Sequence, residues 1–285
     1  MDFTGALTNF GTATVKNSTF VRNDGFELAG GAILNHGTLT VQNTIFDSQF
    51  YDTFGGAFVN GGTATVHNST FVHNGILDGR GGAIINGGTL AIKNCFFSQN
   101  GGNASDSGGA ILSGGTLTVE TSTFSENGAF LDGLGGALYM AGGFASIRNS
   151  VFSGNGAQLG GGIANFATME LVNSSVSDNE AVSGFFLGQL GLGGGIFNAG
   201  TLTVVNSTVF GNTATGQGGG IFNLGTLILN NSSINTNTAN VGGGIYNCLE
   251  GQVADTFFGT TPCHGTLTLQ RTTVTENTPD NIFPW

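Results

Sequence analysis

One short motif recurs along almost the whole chain, and this repeat limits the possible folds more than any other feature. Residues 11–20 read GTATVKNSTF, and close copies follow as GTLTVQNTIF at 37–46, GTATVHNSTF at 62–71 and GTLTVETSTF at 115–124. Aligned on one aliphatic position, most copies lie 24–28 residues apart. The aligned residues are Val15, Val41, Val66, Ile92, Val119, Ile147, Leu171, Val204, Leu229 and Leu269. Repeats of about 20–50 residues indicate a protein that stacks one small structural unit per copy.

Each copy divides into three short pieces of alternating polarity, which resemble GGAIxN, GTLTVxN and STFxxN. Short alternating pieces bounded by Gly and Asn are typical of strands and turns, and no helical periodicity is present. Three strands and three corners form one coil of a parallel β-helix, and each coil buries its apolar face only against its neighbours. The chain is therefore predicted to be all-β, a single-domain right-handed parallel β-helix (β-solenoid) of about ten three-strand coils over residues 1–285. Insertions are predicted at 180–195 and 248–264.

Alternation along each strand predicts which side chains enter the core. Leu39 and Val41 should point inward, and so should the third-strand column. Corner asparagines such as Asn35 and Asn74 should form ladders that satisfy backbone groups in the turns. Cys95 fills a slot that serine occupies in other copies, and we expect it to be a buried thiol. The inward third-strand column is Phe20, Phe46, Phe71, Phe97, Phe124, Phe152, Val176, Val209, Ile234 and Val274.

Composition excludes several classes of protein. The formal net charge is −11 with only 6 Lys and Arg, so binding to nucleic acid is not expected. No run of about 18 apolar residues is present, so a membrane-spanning helix is not predicted. The first residues, MDFTGALTNF, lack a basic and apolar leader, so no signal peptide is predicted, and a piece of a longer secreted protein is one interpretation.

The paired GGAI and FxxN motifs resemble the repeats of chlamydial polymorphic outer-membrane proteins and, more widely, bacterial secreted right-handed β-helix repeat proteins. The pairs Gly30–Ile33 with Phe71–Asn74, Gly81–Ile84 with Phe97–Asn100, and Gly108–Ile111 with Phe124–Asn127 carry this resemblance. Departures occur at Phe46–Gln49 and in the second half, where GGGI replaces GGAI. The resemblance implies a bacterial, extracellular or cell-surface passenger that functions in adhesion.

Outward positions of the second strands are rich in threonine. Stacking would place them in two columns, separated by about 6.6 Å along the strand and about 4.8 Å between coils. The pattern resembles the TxT arrays of β-helical antifreeze proteins, which implies a candidate ice-binding face. Threonine also has high β-propensity and suits any exposed strand, so both interpretations stay open. The candidate face comprises Thr12, Thr14, Thr38, Thr40, Thr63, Thr65, Thr89, Thr116, Thr118, Thr201 and Thr203.

Outward positions of the first strands are unexpectedly apolar, and we call this column the apolar stripe. An apolar patch of this length indicates an interaction surface or a surface that another segment covers. The 180–195 insertion carries Phe185 and Phe186 beside it. These aromatics could complete a binding groove, or the insertions could fold over the stripe and hide it. The stripe comprises Leu34, Val59, Ile85, Leu112, Tyr139, Phe197, Phe222 and Tyr246.

Cysteines and carboxylates suggest two further features. Cys248 and Cys263 lie at the two ends of one insertion, so a disulfide would close that loop in an oxidising compartment. Acidic residues precede several glycine pairs and could form a weak Ca²⁺ ladder, although a solvated acidic edge explains them without metal. The residues of this ladder are Glu27, Asp52, Asp78, Asp106 and Asp132. No cofactor is expected.

Catalysis is not expected, because Glu120 and Glu170 are two copies apart and the histidines lack metal-ligand spacing. The sequence favours a non-catalytic, adhesin-type surface protein that binds a protein or surface polymer through the apolar stripe and its flanking loops. Ice binding through the threonine columns is the alternative, and a carbohydrate-binding or carbohydrate-active module is a third. Self-association is compatible with each of them.

Overall fold

A computed structural model describes residues 5–23, 31–51, 56–76, 81–102, 108–184, 190–256 and 259–283. Within these residues the chain contains strands, turns and no helix. Three long parallel sheets run along the molecule, and each strand pairs with the equivalent strand of the next repeat. The predicted all-β parallel solenoid is confirmed. The first sheet has 11 strands and the other two have 10, so the predicted count of ten coils is only approximate.

The first sheet is built from the GGAIxN pieces, and its strands are three residues long or shorter. They are Leu7–Asn9, Ile33–Asn35, Phe58–Asn60, Ile84–Asn86, Ile111–Ser113, Leu138–Met140, Ile163–Asn165, Ile196–Asn198, Ile221–Asn223, Ile245–Asn247 and Ile282–Phe283. Glycine precedes most of these strands, because the chain must turn sharply into each of them.

The second and third sheets follow in each repeat. The second-sheet strands are Thr12–Lys16, Thr38–Gln42, Thr63–His67, Thr89–Lys93, Thr116–Glu120, Phe144–Arg148, Thr168–Val172, Thr201–Val205, Thr226–Asn230 and Thr266–Gln270. The third-sheet strands are Thr19–Val21, Ile45–Asp47, Thr70–Val72, Phe96–Ser98, Thr123–Ser125, Val151–Ser153, Ser175–Ser177, Thr208–Phe210, Ser233–Asn235 and Thr273–Thr275. We call the strands that one repeat contributes to the three long sheets a rung.

A short fourth sheet lies where the chain passes from the third sheet back to the first, and the sequence did not predict it. Its strands are Gly101–Gly102, Gly128–Leu134, Gly156–Leu159, Glu180–Ala181 and Thr213–Ala214. Two small pairs complete the strands: Phe50–Tyr51 with Gly75–Ile76, and the antiparallel Val253–Thr256 with Gly259–Pro262 inside the second insertion. The fourth sheet extends the outer surface beside the first sheet in the middle of the molecule.

The main core fills the space between the three long sheets, as the alternation predicts. Leu39, Val41 and Phe46 are buried while Thr38 is exposed. Six phenylalanine rings of the third sheet stack almost parallel, with centroids 4.5–5.0 Å apart. Aliphatic residues continue this column from Val176 onward. The stacked rings are Phe20, Phe46, Phe71, Phe97, Phe124 and Phe152.

Buried asparagines form ladders at two corners. After the third sheet, Asn127 Nδ2 donates to Asn155 Oδ1 at 3.0 Å and to the Phe97 carbonyl at 3.1 Å. Its Oδ1 accepts from the Asn100 backbone N–H at 3.1 Å. Gln49 replaces asparagine in this ladder, and its Oε1 accepts from Asn23 Nδ2 at 2.9 Å. The corner asparagines therefore satisfy backbone groups that would otherwise be buried without partners.

Adjacent glycines between the first and second sheets make a testable contrast. A Cβ on Gly115 would lie 2.0 Å from the Gly88 carbonyl oxygen, whereas a Cβ on Gly114 would meet nothing within 4 Å. We expect Gly115→Ala to lower the free energy of unfolding by about 1–3 kcal/mol, because stacked backbones must separate. Gly114→Ala should change it by under about 1 kcal/mol, in the stabilising direction. Equal denaturation midpoints for the two variants would contradict the close approach of the rungs.

Candidate binding surfaces

The outer face of the second sheet carries two threonine columns, and we call it the threonine face. The first column holds threonine at every rung except Phe144, from Thr12 to Thr266. The second column begins at Thr14 and is interrupted at Ala91, Ser146, Glu170 and Ile228. Every member of the predicted set is exposed or half-exposed: Thr12, Thr14, Thr38, Thr40, Thr63, Thr65, Thr89, Thr116, Thr118, Thr201 and Thr203.

Two ion pairs lie at the side of the threonine face nearest the third sheet, and one of them reaches into the face at Glu170. Lys93 Nζ lies 3.0 Å from Glu120 Oε2, and Arg148 Nη2 lies 3.3 Å from Glu170 Oε2. Each pair joins neighbouring rungs, so each glutamate has a cation beside it. In the two threonine columns, the longest stretch with only threonine and alanine runs from the rung of Thr12 to the rung of Thr116.

The outer side of the third sheet is also exposed and polar at several rungs. His73 bonds through Nδ1 to Asp47 at 3.1 Å and through Nε2 to Gln99 at 2.8 Å. Gln99 Nε2 then donates to Glu126 at 2.9 Å. The hydrogen bonds from His73 and then Ser48 hold the pKa of Asp47 below its usual value. These groups form a solvated chain across neighbouring rungs.

The far end of the apolar stripe is buried, which agrees with the alternative in which other segments cover it and not with an open groove there. Phe197 is 1% exposed, Phe222 is 0% exposed and Tyr246 is 8% exposed. Phe222 stacks on Phe197 at 5.5 Å and on Tyr246 at 5.1 Å between ring centroids. Burial raises the pKa of the Tyr246 hydroxyl. An aromatic docking groove at these rings is therefore not available in this structure.

A second apolar cluster on the outside of the first sheet explains this burial, and we call it the outer apolar cluster. Leu159 and Leu192 pair in parallel across neighbouring rungs and belong to the same buried cluster as the aromatic rings. Leu224 and the disulfide cysteines contribute from the other corner. The buried members are Leu134, Leu159, Ala164, Leu192, Phe197, Phe222, Leu224, Tyr246, Cys248 and Cys263. The segments that connect the sheets, together with both insertions, thus hide the far end of the stripe.

The other stripe residues have different exposures. Leu34 is buried, whereas Val59, Ile85, Leu112 and Tyr139 are half-buried. Phe185 and Phe186, the insertion aromatics that could complete a groove or cover the stripe, lie outside the described residues. The partly exposed apolar surface of the stripe is therefore limited to its first half.

The predicted disulfide is present. Cys248 and Cys263 are bonded, with their Cα atoms 5.2 Å apart. Both cysteines are buried in the outer apolar cluster. The bond therefore links the two ends of the second insertion within the cluster that contains the aromatic rings. Cross-links that close a loop of about 15 residues contribute about 3 kcal/mol in the chain-entropy model.

Cys95 is a free thiol buried in the main core, where its sulfur contacts the Lys93 carbonyl at 3.3 Å. Burial raises its pKa to about 11. Because the thiolate is the reactive form, we expect Cys95 to resist alkylation by iodoacetamide at pH 8 in the folded protein. Mass spectrometry should find one alkylated cysteine only after unfolding without reductant. Fast labelling of folded protein would contradict this burial.

The weak calcium ladder is not tested. Glu27, Asp52, Asp78 and Asp106 lie outside the described residues, and the side chain of Asp132 is likewise not described. Across the described part of the chain, no group of three or more His, Cys, Asp or Glu side chains could hold a metal ion.

Sequence reasoning missed a shallow groove of about 440 Å³ at the corner between the second and third sheets. We call it the corner groove, and it crosses three neighbouring rungs. The recurring Asn-Ser pair at 149, 173 and 206 is the sequence signal that could have indicated it. The groove is lined by Asn149, Val151, Asn173, Ser175, Asn206 and Thr208, with Ser150 and Ser174 beneath them.

Comparison with known proteins agrees with this architecture. A family model described as right handed beta helix region matches residues 5–181, which is more than half of the chain. The chain therefore belongs to the right-handed β-helix family. No curated protein and no solved structure matches it. Among the described residues, no helix has the length and apolar character needed to cross a membrane.

Proposed function

We propose that the protein is a non-catalytic extracellular or cell-surface protein of bacterial origin, which binds a surface polymer through the exposed outer faces of its β-helix. The resemblance of its GGAI and FxxN motifs to chlamydial polymorphic outer-membrane proteins supports the surface location. An adhesin-type role follows if the polymer belongs to another cell.

The observation that carries this proposal is the exposed, in-register display on the second and third sheets. Side chains such as Thr38, Thr63 and Thr89 repeat at every rung, with a spacing of about 4.8 Å. A surface that repeats along one axis suits a ligand that also repeats along one axis. The burial of Phe197 and Phe222 moves the proposed contact from the apolar stripe to these two faces.

The placement of carboxylates supports a binding role rather than hydrolysis. Glycoside hydrolysis uses two carboxyl groups about 5–10 Å apart that flank the bond to be cleaved. Glu120 and Glu170 lie two rungs apart, and each is paired with a cation of a neighbouring rung. The ion-pair partner of each glutamate is a cation and not a second carboxylate, which favours binding over this mechanism.

Sedimentation with insoluble polymers tests this proposal. The purified chain is mixed with cellulose, chitin or peptidoglycan, and the bound fraction after centrifugation is measured against protein concentration. We expect saturable binding to at least one polymer, with the thermally unfolded chain as the control for nonspecific adsorption. Failure to bind any of the three would contradict the proposal.

Ice binding is a second candidate, because the threonine face is regular from the rung of Thr12 to the rung of Thr116. Threonine methyl and hydroxyl groups at two fixed spacings could order water in a lattice. The ion pairs Lys93–Glu120 and Arg148–Glu170 border this face and limit the area available.

Thermal hysteresis of the full chain at high micromolar concentration tests this candidate. Thermal hysteresis should disappear in Thr65→Lys, because Thr65 is exposed in the middle of the regular stretch of the threonine face. It should persist in Thr70→Lys, because Thr70 belongs to the same repeat and faces outward on the third sheet. Absence of hysteresis in the original chain would exclude ice binding.

A further inference from the structure

The corner groove differs from the rest of its corner in hydrogen bonding. Exposed asparagines follow one another along this corner, and several pair between rungs. Asn43 donates to Asn17 at 3.1 Å, Asn94 to Asn68 at 3.3 Å and Asn231 to Asn206 at 2.7 Å. In contrast, the side-chain amides of Asn149 and Asn173 make no hydrogen bond within the described residues. Two complete amide groups are therefore available to a ligand at neighbouring rungs.

Chemistry of the lining indicates an uncharged ligand. The groove contains amides and hydroxyls but no ionisable side chain, in a protein whose net charge is −11. Arg148, at its edge, is already paired with Glu170. Val151 is exposed on the third-sheet side, and Val172 and Val205 are half-buried on the second-sheet side. The polar groups along the corner are thus flanked on both sides by small apolar surfaces.

The pairing of the strands and the spacing of the side chains at the groove favour a glycan over a peptide as the ligand. An extended peptide usually binds a sheet through a free strand edge. The strands Val151–Ser153, Ser175–Ser177 and Thr208–Phe210 are paired on both sides, so no edge is free here. Side chains at the groove repeat every about 4.8 Å, whereas an extended peptide presents like-facing groups about every 6.6 Å. A pyranose ring in an extended β-linked chain has a length close to one rung. In a β-1,4-linked chain successive rings alternate in facing, so like-facing groups recur at every second rung.

We infer that the corner groove binds an extended, uncharged β-linked glycan, with one sugar ring per rung. Asn149 and Asn173 hydrogen bond to sugar hydroxyls, Ser175 and Thr208 add hydroxyl contacts, and Val151 contacts the apolar C–H face of a ring. This inference rests on the proposed polymer-binding function and assigns the chemical class of the polymer and its site.

Titration calorimetry with cellohexaose tests the inference. We expect saturable binding to the full chain and at least about tenfold weaker binding by the double variant Asn149→Gly/Asn173→Gly. Glycine retains the positive φ angles of 52° and 50° at these positions, so the corner conformation is preserved. The matched control is Asn68→Gly/Asn94→Gly, which alters the same corner at φ 51° and 51° but lies outside the groove. The control should bind with the original affinity.

Each contrary outcome has a distinct meaning. Equal affinity in the two double variants would overturn the corner site while leaving the polymer-binding function in place. Binding of acidic polygalacturonate or of an extended peptide instead of cellohexaose would overturn the assignment of an uncharged glycan. Absence of cellohexaose binding, with polymer retention intact in the sedimentation assay, would also overturn the inference. Circular dichroism of each variant confirms that a loss of affinity does not follow from unfolding.

Discussion

Replacing Phe97 with alanine is expected to lower the free energy of unfolding by about 3–5 kcal/mol. The Phe97 side chain is 0% exposed, and its ring lies 4.7 Å from the rings of Phe71 and Phe124. Its removal leaves a cavity and interrupts two aromatic pairs, each of which contributes about 0.5–1.5 kcal/mol beyond burial. Each rung contacts mainly its neighbours, so the defect divides the stack of six rings into two shorter stacks.

The adjacent residue provides the matched control for Phe97. Phe96 is 41% exposed because it points out of the same strand. Phe96→Ala should lower the free energy of unfolding by less than about 1 kcal/mol. Denaturant titration of both variants measures this difference, and amide exchange at Thr70–Val72 and Thr123–Ser125 should accelerate only in Phe97→Ala. Similar losses in both variants would contradict the assigned direction of these side chains.

Replacing Phe222 with alanine should also cost about 3–5 kcal/mol, although this ring lies outside the main core. Phe222 is 0% exposed between Phe197 and Tyr246 in the outer apolar cluster. If the stripe were an open docking groove, the same change would reduce partner binding and leave stability unchanged. Denaturation midpoints and polymer retention of the variant, measured together, distinguish these outcomes.

The control for Phe222 is Phe210, which is 36% exposed on the outer side of the third sheet. Phe210→Ala should change the free energy of unfolding by less than about 1 kcal/mol. A loss in Phe222→Ala as small as that in Phe210→Ala would show that the outer apolar cluster contributes little to folding. A large loss establishes the cluster as a second core that stabilises the first sheet from outside.

The main core was predictable because strand alternation is a local property of the sequence. Leu39, Val41 and Phe46 follow one another at strand spacing, and stacking of identical repeats determines the rest. The same alternation states only that Phe222 leaves the main core. It does not show which side chains pack against Phe222 outside the first sheet, because Leu159 and Leu192 come from glycine-rich connections with no regular period. The outer apolar cluster therefore required the structure.

The binding surfaces show the same division between local and long-range information. The threonine face follows from counting outward positions, and the structure places its members in register. The corner groove depends on which asparagines pair between rungs. Asn149 and Asn173 have the same local sequence character as Asn68 and Asn94, so their free amides could not be distinguished in advance.

The protein has two apolar cores and separate outer surfaces. The phenylalanine stack and the asparagine ladders hold the rungs in register, and the outer apolar cluster with its disulfide closes one side of the first sheet. The second and third sheets then display repeating polar groups to solvent. We propose binding without cleavage as the function of these surfaces.

Chain-length analysis of a bound polymer tests that function most directly. The protein is incubated with the polymer that retains it in sedimentation, with and without added Ca²⁺, and the polymer length and the number of new reducing or unsaturated ends are measured over time. We predict saturable retention with unchanged polymer length and no new ends under either condition. Accumulation of shortened chains would contradict it and identify the protein as a polysaccharide-degrading enzyme.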